Sequence, residues 1–98
     1  MPYFVVVRKR GSAWNWSEPM RKQREFDVHA VFMNALGDEG FIVAGGPLGG
    51  EDDAQRVLHV VEAPSVDDVE ARLSEDPWKH DMLETESIDP WTVLVGRL

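Results

Sequence analysis

The chain has 98 residues, 43% of them hydrophobic, which is the size of one folding unit with enough apolar material for one core and no call for a second domain. Its 18 acidic and 10 basic residues leave a net charge of −8, a balance that repels phosphate backbones and anionic lipid surfaces and so argues against nucleic-acid and membrane partners. Cysteine is absent, removing disulfides, zinc–thiolate sites and thiol nucleophiles, and no apolar run approaches the roughly 20 residues of a membrane span, so one soluble, cytoplasmic domain over residues 1–98 is expected.

Tyr3 to Val7 is a β-branched and aromatic run stopped by Arg8-Lys9-Arg10-Gly11, and reads as the first strand. Ser12 to Trp16 reads as a loop carrying two tryptophans. Ser17-Glu18-Pro19 has the residues of a helix start, a capping serine followed by an acid and an early proline. The helix is expected to run to about Asp38, with Gly37 and Gly40 available to stop it. Phe41 to Leu48 reads as the second strand, Gly49 to Asp53 as an acidic hairpin loop, and Arg56 to Glu62 as the third strand. Ser65, with Asp67 and Asp68, caps a second helix through Leu73. Asp76-Pro77-Trp78 ends it, because the residue before a proline is pushed out of helical geometry. Lys79 to Leu83 is expected to form a short helical turn, and Ile88 to Leu98 the last strand, centred on Trp91 to Val95. The order β-α-β-β-α-β predicts a ferredoxin-like α+β fold, a four-stranded antiparallel sheet with both helices on one face.

The strands carry apolar residues on both faces. Tyr3, Val5 and Val7 oppose Phe4 and Val6; Val57 and Val61 oppose Leu58 and Val60. A half-solvated antiparallel sheet alternates apolar with polar residues, and two helices cover only one face. A second copy of the same sheet is the simplest cover for the other, so a homodimer through the sheet face is expected.

The three histidines are His29, His59 and His80. His29 falls inside the apolar stripe of the first helix, Phe26, Ala30, Met33 and Leu36. An imidazole aimed at a sheet needs a hydrogen-bond partner. His29 therefore reads either as a general acid/base in a pocket between helix and sheet or as a satisfied core histidine. Asp76 is its expected partner, against the plain reading of an aspartate before proline as a turn former; a carboxylate beside an imidazole fixes its tautomer. Trp78 is placed to close a pocket wall. Gly45-Gly46-Pro47 inside a strand marks either a pocket floor where a ligand meets bare backbone or a strand end bending into its hairpin. Trp14 and Trp16 divide evenly between pocket mouth and core, Trp91 reads as core or interface, His59 as a core or interface histidine, and His80 as exposed. No spacing of metal-binding histidines occurs, and the serines sit in capping or loop contexts, so neither a metal nor a seryl nucleophile is expected.

Taken in order, the helix with His29, Glu39-Gly40-Phe41, Ala44-Gly45-Gly46-Pro47-Leu48, the serine-capped helix ending in Asp76-Pro77-Trp78, and Ile88-Asp89-Pro90-Trp91 resemble the YCII-related family over nearly the whole chain. That resemblance implies a ferredoxin-like fold paired as a dimeric α+β barrel, with His29 and Asp76 matching the family's motif histidine and aspartate, proposed to pair in a cleft. Relatives include a dehydrochlorinase acting on chlorinated hydroxyquinols. The arginine that many relatives carry three residues before the histidine is Phe26 here; Arg24 is the nearest basic residue upstream and the expected substitute in substrate binding. The resemblance implies a cofactor-free lyase or isomerase acting on a small cyclic or aromatic ligand, with His29 and Asp76 as acid/base pair and Gly45, Gly46, Pro47 and Trp78 shaping the pocket. A non-catalytic small-molecule-binding or assembly module and a monooxygenase-like enzyme are the alternatives.

Overall fold

The first strand, β1, runs from Tyr3 to Arg10, three residues beyond the predicted stop. Its inner residues Phe4, Val6, Arg8 and Arg10 are buried, while Tyr3, Val5 and Val7 on the outer face are half-buried. The arginines continue the strand because both guanidiniums are partnered inside, Arg8 by Asp76 and Arg10 by the main-chain oxygens of Ala54 and Glu51. The computed structural model describes residues 1–98.

The remaining elements are α1 (Phe26–Asp38), β2 (Ile42–Pro47), β3 (Arg56–Glu62), α2 (Val66–Leu73) and β4 (Leu83–Trp91). The sheet order is β2-β3-β1-β4, with every neighbouring pair antiparallel. This is the predicted ferredoxin-like α+β arrangement.

Several further boundaries differ from expectation. The helix start predicted at Ser17-Glu18-Pro19 is displaced: a short 3-10 turn occupies Met20–Lys22, and α1 begins only at Phe26. Ser17 turns back on Asn15, whose side-chain oxygen accepts from both its N–H and its hydroxyl, and this side-chain turn competes with helical capping. The buried Gln23 amide then pins the same loop through the Asn15 backbone and the Glu18 carbonyl. Lys79 to Met82 form turns, not a helix. Finally, β4 begins at Leu83, ahead of the expected Ile88, and ends at Trp91, while Thr92–Leu98 has no regular structure. Trp91 pairs with Tyr3, the first residue of β1, so the neighbouring strand supplies no partner beyond it. Pro90 is tolerated because β4 is an edge strand.

Other termini follow the sequence. Ser65 accepts from the Asp68 N–H at the start of α2. Gly40 closes α1 at φ +82°, where its N–H reaches the Gly37 carbonyl and the Phe41 N–H reaches Leu36, the paired bonds of a Schellman motif.

The core lies in two parts. Phe4, Val6, Leu36, Phe41, Ile42, Val61, Ala63, Val69 and Leu73 pack together under the helices. Trp14, Val57, Trp78, Met82 and Leu83 form a second cluster. Along β3 the inner face runs Val61, His59, Val57, so a buried imidazole separates the two; Arg8 stands opposite Val57 on β1.

Candidate active site

The structure brings His29 and Asp76 into contact. His29 sits on the first turns of α1; Asp76 follows α2, where Pro77 has no N–H to give and Trp78 donates instead to Asp76 Oδ1 at 2.9 Å. The same oxygen takes a hydrogen bond from His29 Nδ1 at 2.7 Å, and Oδ2 takes one from the Arg8 guanidinium at 2.8 Å. Burial alone would push the Asp76 carboxyl up; the His29 hydrogen bond and charge, the Arg8 charge and the Trp78 N–H outweigh it and hold the group below the ordinary carboxylate range. An ionised carboxylate only accepts, so the proton between the two lies on His29 Nδ1, and in the neutral ring the lone pair is left to Nε2. The His29 ring is further fixed by stacking on Trp78, centroids 3.9 Å apart and planes 12° apart. Trp78 is held in turn by its indole N–H on the Arg24 carbonyl and by the edge of Trp14.

The Arg8–Asp76 pair is almost wholly enclosed, at 1% and 0% exposure. Stripping water from both ions costs several kcal/mol each, and removing one partner of such a pair typically costs about 3–5 kcal/mol.

A cavity of about 390 Å³ lies between α1 and the β2–β3 side of the sheet, within the range of small-molecule sites. His29 and Met33 reach it from the helix, Gly45, Gly46 and Pro47 from β2, His59 from β3, and Trp14 and Trp78 from the second cluster. Arg10 also lines it, stacked over Trp14 at 4.0 Å. Arg24 is not brought to the cavity: its guanidinium pairs with Asp81 at 3.2 Å on the surface, so the cation at the cavity wall is Arg10. No three carboxylate or imidazole groups converge as a metal would require.

The glycines divide. Gly45 pairs directly with His59, and a Cβ at position 45 would stand 2.6 Å from His59 Nδ1 and 3.2 Å from the Leu58 carbonyl oxygen. Bare backbone here makes room for an imidazole. At Gly46 a Cβ would meet nothing within 4 Å.

Sequence reading passed over Arg8, Arg10 and the cavity position of His59. The period of two that makes Phe4 and Val6 inner residues, carried two steps further, reaches Arg8 and Arg10; the same parity on β3 puts His59 between Val57 and Val61. The tryptophans separate: Trp14 is buried, while Trp16 and Trp91 are exposed. His80 is exposed as expected, in a left-handed turn at φ +69°.

The split β-α-β-β-α-β order, with a cavity between first helix and sheet, defines a ferredoxin-like α+β domain. Among solved structures it is similar to the 5-chloro-2-hydroxyhydroquinone dehydrochlorinase of Burkholderia phenoliruptrix AC1100 in complex with 2,5-dihydroxybenzoquinone, at 22% identity and a TM-score of 0.56 over 96% of this chain and 95% of that one. The likeness establishes a shared fold. No protein-family profile and no curated protein matches the chain. No helix is long and apolar enough to cross a membrane.

Proposed function

We propose that the chain is a single YCII-related domain acting as a homodimeric lyase- or isomerase-type enzyme on a small cyclic or aromatic compound, with His29 as general acid/base and Asp76 as the residue that orients it. The observation that carries this reading is the 2.7 Å contact that joins His29 Nδ1, at the wall of a ligand-sized cavity, to the wholly buried Asp76 carboxyl behind it. His29 Nε2 is then the base: it takes a hydroxyl or carbon-bound proton from the ring, and Asp76 stabilises the imidazolium that results. Returning the proton to another ring atom is an isomerisation; losing it while a leaving group departs is an elimination. Both proceed without a cofactor.

The dehydrochlorinase with this fold supplies a first substrate to try. On a chlorinated trihydroxybenzene, one hydroxyl proton moves to the chlorine-bearing carbon. A second hydroxyl proton then leaves as the C–Cl electron pair departs on chloride. The products are a hydroxyquinone and HCl, and no outside oxidant enters.

The test follows chloride release and quinone absorbance with 5-chloro-2-hydroxyhydroquinone, and the ultraviolet absorbance change of unsaturated lactones as the double bond moves. Turnover that falls about 10²–10⁴-fold in folded His29→Gln and Asp76→Asn is the expected result. Ring binding without turnover, indifferent to Asp76→Asn, would assign a non-catalytic binding module instead.

The proposed dimer rests on the outer sheet face, where half-buried Tyr3, Val5, Val7 and Leu58 lie with exposed Trp91, away from both helices.

A further inference from the structure

Both ring nitrogens of His59 are buried and have no hydrogen-bond partner, although the residue is 97% enclosed and lines the cavity. An unpaired buried polar group of this kind destabilises the fold. Strand β2 also gives up a side chain at Gly45 to make space for the ring. The fold thus keeps an imidazole here at the cost of two unpaired nitrogens and of a side chain on β2.

Its chemistry is narrow. Burial first, then the nearby Arg8 and His29 charges, push the His59 pKa down to about 3, against the weaker pull of Asp76. The ring stays neutral near pH 7, with one donor and one acceptor nitrogen. It offers no charge to a carboxylate, and it complements a hydroxyl, which both gives and takes a hydrogen bond.

We propose that His59 is a ligand-binding residue, meeting a hydroxyl of the bound ring from the sheet side while His29 meets a second from the helix side, so that the site selects rings with hydroxyls on two edges. This rests on the cavity being the substrate site proposed above, and deepens that reading by naming the groups recognised.

The experiment titrates ¹⁵N-histidine-labelled protein with hydroquinone and with phenol, reading the imidazole nitrogen shifts and the affinities. Hydroquinone should move the His59 and His29 resonances and bind about tenfold more tightly than phenol. His59→Leu should reduce that ratio to about twofold or less without lowering the thermal midpoint.

Unmoved His59 nitrogens, a ratio that survives His59→Leu, or a midpoint several degrees lower would overturn the proposal; so would no binding of either ring at about 10 mM. If His59 responds while no ring is turned over, this assignment stands and the proton-transfer reading falls. If rings are turned over with His59 silent, the reverse holds.

Discussion

Asp76 accepts three hydrogen bonds in full burial, and that arrangement ties stability to pH. Its carboxyl is held below the range it has in an unfolded chain. The folded state therefore binds this proton less readily, and the stabilisation is complete above the unfolded value of about 4 and lost as pH falls towards the folded one. The thermal midpoint of the wild type should drop steeply below about pH 4. Asp76→Asn, which leaves Arg8 buried without a counter-charge, should melt lower than wild type at pH 7 and show a flatter acid limb; calorimetry from pH 3 to 7 checks both. Parallel acid limbs would remove Asp76 as the source. At this scale the sequence held the candidates but not their meeting. Asp-Pro-Trp and the histidine in an apolar stripe single out Asp76 and His29, yet 47 positions separate them and no local pattern reports that distance. Arg8, the cation completing the group, was hidden by its neighbours: a run of three basic residues looks like a strand end when its inner members have no visible partner.

Among the elements, β2 and β3 pair at five positions, and at one of them Gly45 faces His59. Gly45→Ala places a methyl 2.6 Å from the His59 ring nitrogen and close to the Leu58 carbonyl, so the imidazole has to shift. Overpacking of this kind typically costs about 1–3 kcal/mol, and His59→Ala in the same chain should recover most of it. Chemical denaturation of the two single variants and the double variant measures the coupling; additive effects would show that the two positions do not share space. Elements defined by their own residues were readable. Ser65 capping α2 and Gly40 closing α1 are local chemistry, as is the alternation of β1. The start of α1 and the extent of β4 were not: one is decided by an Asn15 side-chain turn clamped by Gln23, eight residues away, and the other by where β1 begins.

For the molecule as a whole, the face of the sheet opposite the helices sets the expected assembly. Light scattering at micromolar concentration should give about 22 kDa, twice the 11.1 kDa of the chain. Leu58→Glu, at the centre of that face opposite Val7, should give the single-chain mass with the fold intact by circular dichroism. A wild-type monomer would remove the basis for pairing the sheets.

The two apolar clusters meet across a buried polar seam of Arg8, Asp76 and His59 instead of merging, and this bears on how the molecule breathes. Local opening follows local burial, and the tryptophan-rich end, with five buried apolar residues against nine, is expected to loosen before the helix-covered end. That end forms one wall of the cavity, and a partial opening there admits a ring without unfolding the sheet. Trp14 and Trp78 belong to this cluster, with Trp16 beside Trp14 at 6.2 Å. Their fluorescence should therefore report a transition at lower denaturant than far-ultraviolet circular dichroism does. A bound ring, by bridging the seam, should draw the two transitions together.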